Sequence, residues 1–235
     1  MLILAFETSA KAGSVALMDA HSLLGESYCN TGLTHSQTLL AMAENLLKSC
    51  GKTAADVTAV AAAAGPGSFT GVRIGVAAAK GYAWGAQIPC CGVSTLEAMM
   101  LNLGIWDGIV CSVMDARRAQ VYNALFEIRR GTATRLVEDR AISLAELGEE
   151  LKILQKPVFL VGDGSILCYN TLKDAVPTLI LPAEHRMHQR AAGVALAART
   201  ILQRGETPSG AELTPNYLRL SQAERERLEK EKGEK

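Results

Sequence analysis

Apolar positions along the chain follow two periods. Short runs at 2–7 (LILAFE), 14–19 (SVALMD) and 22–28 (SLLGESY) predict three strands separated by hairpin-sized gaps. A helix at 34–50, a strand at 57–64 and a helix at 70–86 follow. The order restarts with strands at 108–115, 119–128 and 134–142, a helix at 143–153, a strand at 157–162 and helical stretches at 165–173 and 187–204. A βββαβα pattern therefore occurs twice, with negligible identity between its copies. The hinge falls at 102–108, giving lobes at 1–105 and 106–220 and a charged tail at 221–235.

On the first helix, at ~100° per residue, Leu39, Leu40, Met42, Ala43, Leu46, Leu47 and Cys50 fill an arc of about 160°, with Glu44, Asn45 and Lys48 opposite. Such an arc covers a sheet and leaves an apolar edge for another helix. The helix at 70–86 is stranger, because Gly75 and Gly81 each cost about 1 kcal/mol relative to alanine. Gly71, Gly75, Ala78 and Ala79 project from one side beside Tyr82, a face that another backbone could approach closely. Arg73 and Lys80 mark its only polar stripe, so the helix is expected to be buried on two sides.

Composition narrows the function classes. The 235 residues suffice for two lobes with ample core, and 24 basic residues balance 24 acidic ones, which argues against a broad nucleic-acid-binding surface. The opening reaches Glu7 too soon for a signal segment or a membrane span, so an intracellular chain without a membrane anchor is expected. Six cysteines without C-x-x-C spacing make zinc and a disulfide framework poor fits.

The stretch GPGSFTG (65–71) tests for phosphate chemistry. A P-loop would need lysine after Gly71, the dinucleotide fingerprint a glycine in place of Thr70, and a nucleophile elbow glycines in place of Pro66 and Thr70. All three fail, leaving a strand-to-helix turn around Gly67 and Ser68. Duplicated βββαβα lobes belong to the actin, sugar-kinase and acetate-kinase-like (ASKHA) α/β architecture, in which nucleotide phosphates meet the first hairpin of each lobe. Here those hairpins read ETSAKAGS, with Glu7 as the only acid, and MDARRAQ, with Asp115 and the pair Arg117 and Arg118. Magnesium would find few oxygens there. The two arginines could contact an anion or a partner's carboxylates, or simply remain solvated. His185 and His188 lack a third ligand nearby and read as surface histidines. The tail alternates charge at helical spacing, as from Glu226 to Lys230, and reads as a solvated helix.

The segments LAFETSAKAGSVALMD, HSQTLL, GPGSFTGVRIGVAAAKGYAW, GVSTLEAM, DARRAQVYNALF and PNYLR together resemble the TsaB (YeaZ) family across nearly the whole chain. The resemblance implies the duplicated fold above and a non-catalytic subunit of the pathway that makes N6-threonylcarbamoyladenosine in tRNAs reading A-starting codons. In that pathway the related TsaD transfers the threonylcarbamoyl group, and TsaE is an ATPase of the same assembly. TsaD carries an H-x-x-x-H metal pair where this chain has Thr95 and Met99, and E-T-S-C-D-E where it has Glu7 to Ala12. No catalytic residue, metal or cofactor is therefore expected. The implied partners are TsaD, as a heterodimer joined through N-terminal-lobe helices, and TsaE, with tRNA met only through the complex. A homodimer of the free chain through the same helices is compatible with the pattern. The expected interface comprises Leu39, Leu40, Ala43, Leu47, Gly67, Ser68, Thr70, Gly71, Gly75, Ala78, Ala79 and Tyr82, and Gly75→Leu should disrupt it. The alternative from another class is an autonomous ATP-dependent small-molecule kinase of the same fold.

Overall fold

The computed structural model describes residues 1–104 and 107–219. The expected tail at 221–235, with its pair Glu226 and Lys230, and two residues of the expected hinge lie outside the described residues.

Two five-stranded sheets form the molecule. In the first, β1 (Leu2–Glu7), β2 (Gly13–Asp19), β3 (Leu23–Cys29), β4 (Ala59–Gly65) and β5 (Cys90–Ser94) lie in the order β3-β2-β1-β4-β5. The second contains β6 (Gly108–Asp115), β7 (Gln120–Arg129), β8 (Thr132–Ser143), β9 (Val158–Val161) and β10 (Leu179–Ile180), in the order β10-β9-β6-β7-β8. Each sheet begins as an antiparallel meander and continues in parallel from its first strand: Ile3 pairs with Met18 on one side and Ala59 on the other, and Ile109 with Glu127 and Val158. The repeat expected from the hydrophobic pattern is thus a repeat of topology, and the fold is the ASKHA architecture.

The central strands are continuous apolar runs because both of their faces are covered. Leu2, Leu4 and Phe6 of β1 face helices α1 (His35–Ser49) and α2 (Phe69–Ala86), while Ile3 and Ala5 face α7 (Ala191–Gln203). In the second sheet Ile109, Cys111 and Val113 meet α4 (Leu144–Ile153) and α5 (Ser165–Leu172), whereas Val110 and Met114 meet α3 (Thr95–Leu103).

This last pairing departs from the order of the chain. Helix α3 follows the strands of the first sheet but packs on the second, and α7 follows those of the second but packs on the first. The two helices lie together between the sheets, and Gly193 sits so close to α3 that a Cβ there would stand 2.0 Å from the Ala98 carbonyl oxygen. Residues 191–213, expected in the second lobe, therefore pack on the first, where Cys90 N donates to the Pro208 carbonyl (2.9 Å) and Leu213 joins the core.

Strand β5 and helix α3 have no counterpart in the sequence reading. The local signal for α3 is Ser94 at the N-cap, whose hydroxyl accepts from Glu97 N at 3.2 Å. The helix expected at 187–204 starts only at Ala191, as α7, because His188 and Arg190 are extended, and a separate short helix, α6 (Glu184–Met187), precedes it. Arg190 Nε donates to Glu26 Oε2 at 2.9 Å and Ala191 N to the buried Ser14 hydroxyl at 2.8 Å, which pins the start of α7 to the first sheet.

Candidate functional site

The first turn of α2 is built against the β1–β2 hairpin. Thr8 Oγ1 donates to the Gly71 carbonyl at 2.7 Å, Ser68 N donates to the Ser9 carbonyl at 2.7 Å, and the Ser68 hydroxyl caps the helix from Gly71 N. A Cβ at Gly71 would meet the Thr8 carbonyl oxygen at 2.1 Å, one at Gly75 the Thr8 hydroxyl at 2.5 Å, and one at Gly67 the Ser9 carbonyl oxygen at 2.6 Å. The backbone that the small-residue face admits is therefore that of Thr8 and Ser9 in the same chain. This corrects the reading of Gly71 and Gly75 as a surface open to a partner, and with it the Gly75→Leu test, since leucine would strike Thr8 before any partner.

The other expected interface residues divide by burial. Leu39, Ala43 and Leu47 of α1 and Ala79 of α2 belong to the chain's own core. Ala78 and Tyr82 are half-buried, and the Tyr82 hydroxyl donates to the Ala54 carbonyl at 2.8 Å. The apolar arc of α1 is narrower than its angular span, because Leu40 at its edge is 63 % exposed. Ser68 and Thr70 are exposed at the start of α2, and Gly67 is half-buried.

Sequence reasoning missed the outer face of the second half of α2. Trp84 is 80 % exposed there, and a Cβ built at Gly81 or Gly85 meets nothing within 4 Å among the described residues. Lys80, Gly81, Ala83, Trp84, Ile88 and Gly210 line an open groove of about 460 Å³ beside this face.

A second concavity, about 530 Å³, opens between the lobes. Ser9, Gly67 and Ser68 line it from the first lobe, and Asp115, Arg117 and Asp163 from the second. Two residues before Ser9, Glu7 is fully buried, with Oε1 accepting from Ser9 N at 2.6 Å and Oε2 without a partner among the described residues. Burial pushes its carboxyl up to about 7, against the hydrogen bonds from Ser9 and with help from the nearby charge of Asp163. Asp163, just after β9, opens to the cleft but is crowded by protein, which also raises its carboxyl, while Gln189 Nε2 donates to it at 2.9 Å. Its only local signal in sequence is the turn dipeptide Asp163-Gly164 after a strand.

Arg117 and Arg118 stand on the β6–β7 hairpin, where Arg117, Arg118 and Ala119 all have left-handed backbones (φ of 65°, 55° and 55°). Each such residue without glycine costs about 1 kcal/mol or more. Asp115 supports the turn by accepting from Arg117 N at 2.7 Å and from Arg117 Nη1 at 3.3 Å, and both arginine side chains are exposed. His185 is exposed and His188 half-buried, and Thr95 and Met99 are buried. Among the described residues no group of three or more His, Cys, Asp or Glu is placed to hold a metal ion. None of the described helices is long and apolar enough to cross a membrane.

Comparison with known proteins gives a family. A family model described as TsaD, tRNA N6-adenosine threonylcarbamoyltransferase, matches residues 30–227. The tRNA threonylcarbamoyladenosine biosynthesis protein TsaB of Bacillus subtilis is 33% identical over 99% of this chain and 100% of its own length. TsaB of Escherichia coli is 41% identical over 54% of this chain and 55% of its own. Among solved structures, YeaZ from Pseudomonas aeruginosa superposes with a TM-score of 0.73 at 26% identity, covering 92% of this chain and 99% of that one. The ethanolamine utilization protein EutJ of Carboxydothermus hydrogenoformans shares the fold, with a TM-score of 0.50 at 13% identity over 83% of this chain and 89% of its own. With a full-length relative at that identity and the same arrangement in solved neighbours, the chain belongs to the TsaB (YeaZ) branch of the family that the TsaD model describes.

Proposed function

We propose that the chain is a non-catalytic subunit of tRNA threonylcarbamoyladenosine synthesis in the cytoplasm. It binds TsaD through the exposed outer faces of α1 and α2 and holds TsaD in its competent conformation. TsaE joins the same assembly, and tRNA is met only through the complex. Arg117 and Arg118, at the rim of the interlobe cleft, are available to TsaE or to the RNA backbone.

The observation that carries the docking surface is Gly81. A glycine inside a helix costs about 1 kcal/mol relative to alanine. At Gly75 close contact with Thr8 accounts for the choice, but around Gly81 the described residues offer no contact that a methyl group would disturb. The space is kept for something outside the chain, and the neighbouring exposed Trp84 is the residue type that most often anchors an interface. Leu40 and Leu33, 63 % and 59 % exposed, extend the apolar character around the start of α1.

Gly81→Ala is accordingly expected to stabilise the isolated chain by about 1 kcal/mol while weakening its affinity for TsaD of the same organism. Trp84→Ala should cost that affinity about 2 kcal/mol, roughly thirtyfold, with the fold intact. Titration calorimetry with purified TsaD, followed by transferase assays with and without this chain, measures both. Wild-type affinity in both variants would remove the α2 face from the proposal, and magnesium-dependent ATP turnover by the lone chain would favour a kinase instead.

A further inference from the structure

Residues 214–219 leave the first lobe and end on the second. The segment is anchored from its start: the Leu213 carbonyl accepts from Lys80 Nζ at 2.9 Å, and Asn216 N donates to the Ala64 carbonyl at 2.6 Å. The Asn216 carbonyl oxygen lies 2.5 Å from where a Cβ on Gly65 would stand, so only glycine, here at φ +117°, lets the segment lie this close to β4. The Tyr217 ring stacks on Phe69 with centroids 4.7 Å apart, its hydroxyl accepts from Arg73 Nε at 2.7 Å, and the Arg73 guanidinium lies 3.8 Å above the Phe69 ring. Two residues on, Arg219 Nη1 donates to the Ala116 carbonyl in the β6–β7 hairpin of the other lobe. Asn216 to Arg219 thus form one wall of the interlobe cleft.

The two attachments differ in kind. On the first lobe the segment is held by a backbone hydrogen bond, ring stacking and the Tyr217 hydroxyl together, whereas on the second, among the described residues, the hydrogen bond that holds it is that of one guanidinium on a neutral carbonyl. The carbonyl's hairpin is the backbone-strained turn of Arg117 to Ala119, which gains from an external tether. The lobes meet again at the close crossing of α3 and α7 and where Ser94 Oγ of β5 donates to Asp139 Oδ2 of β8 at 2.6 Å, and rocking of two rigid layers about these contacts would open the cleft. We propose that residues 214–219 are a latch that holds the cleft closed, with Tyr217 as its anchor on α2 and Arg219 as its hook on the β6–β7 hairpin. Release at the hook opens the cleft, uncovers the Ser9 and Gly67 floor and frees the hairpin that carries Arg117 and Arg118. The latch stands independently of the docking face on α2.

Hydrogen exchange on the intact chain tests it. Arg219→Met keeps the aliphatic stem and removes the donors. It is expected to speed exchange at least tenfold in the 116–121 hairpin and in the 8–12 turn across the cleft, leaving the first turn of α2 at its wild-type rate. Tyr217→Ala should speed all three. Unchanged protection of β1 and β6 in each variant verifies that the sheets remain folded, and Arg219→Ala repeats the hook test should the methionine variant misfold. Faster exchange confined to 214–219 in both the hook and anchor variants would overturn the latch, as would a hook variant in which both cleft turns keep wild-type rates.

Discussion

Glu7→Gln is expected to make the protein more stable at pH 8 and to leave it nearly unchanged at pH 4.5. Burial raises the Glu7 carboxyl from its ordinary 4.5 to about 7, so the native state prefers the protonated form. The stabilising contribution of the bound proton is complete below pH 4.5, is lost as the pH climbs through 7, and is constant above that. The difference of about 2.5 pK units corresponds to roughly 3 kcal/mol. Glutamine cannot ionise, so its denaturation midpoint should diverge from that of the wild type over this interval. Urea titrations of both proteins at pH 4.5, 6, 7 and 8 provide the comparison, and parallel stability curves would show that Glu7 is not a buried acid in solution. The comparison is made against the variant because other carboxyls titrate too: Asp163 is also raised, whereas Glu146 and Asp56 at helix caps are lowered and act in the opposite direction.

The second large effect is expected at Gly193. Alanine there would place its Cβ 2.0 Å from the Ala98 carbonyl oxygen and 2.8 Å from the Asn102 amide nitrogen, so α3 and α7 must part by more than an ångström. Overpacking of this kind costs about 1–3 kcal/mol, occasionally more, and the better helix propensity of alanine returns about 1. A net loss of about 2 kcal/mol would lower the melting temperature by roughly 4–8 °C in a chain of this size. Because the crossing joins the lobes, both sheets should lose protection together. Gly81→Ala in the same background is the internal control: the chemical change is identical, open space surrounds the site, and the sign should reverse. Should Gly193→Ala melt at or above the wild-type temperature, the close helix crossing would not exist in solution.

Most strands were legible because they obey local rules. LILAFE and GIVCSVMD are continuous apolar runs, and a central strand covered on both faces must be one. The first meander and α2 appear within two residues of their expected bounds for the same reason. What was not legible depended on neighbours distant in sequence. Strand β5 is five residues long with a glycine at its centre and becomes a strand by pairing with β4. Helix α7 stops short of His188 because Ser14 and Glu26, more than 160 residues away, hold its first turn.

The candidate site divides in the same way. The pattern identified the glycine-rich segment as a place of close approach, and the angular position of Gly71 and Gly75 on one face was correct. Which backbone approaches was beyond it, because a small-residue face admits a partner and a hairpin of its own chain equally well, and only the tertiary position of Thr8 distinguishes them. Leu39 and Leu40 both fell within the apolar arc of the helical wheel, yet Leu39 is buried and Leu40, at the edge of the arc, is exposed, since the wheel gives an angle but not the edge of the sheet beneath it.

The sequence by itself determined the duplicated order of strands and helices, the family, and the scarcity of metal-binding side chains in the hairpins, because periodicity and residue identity are properties of short segments. Only the tertiary structure decided that the two halves exchange their helices α3 and α7, that Glu7 is buried beside Asp163, and that residues 214–219 bridge the cleft. Each of these is a contact between segments far apart in the chain, and no local propensity encodes where such segments meet.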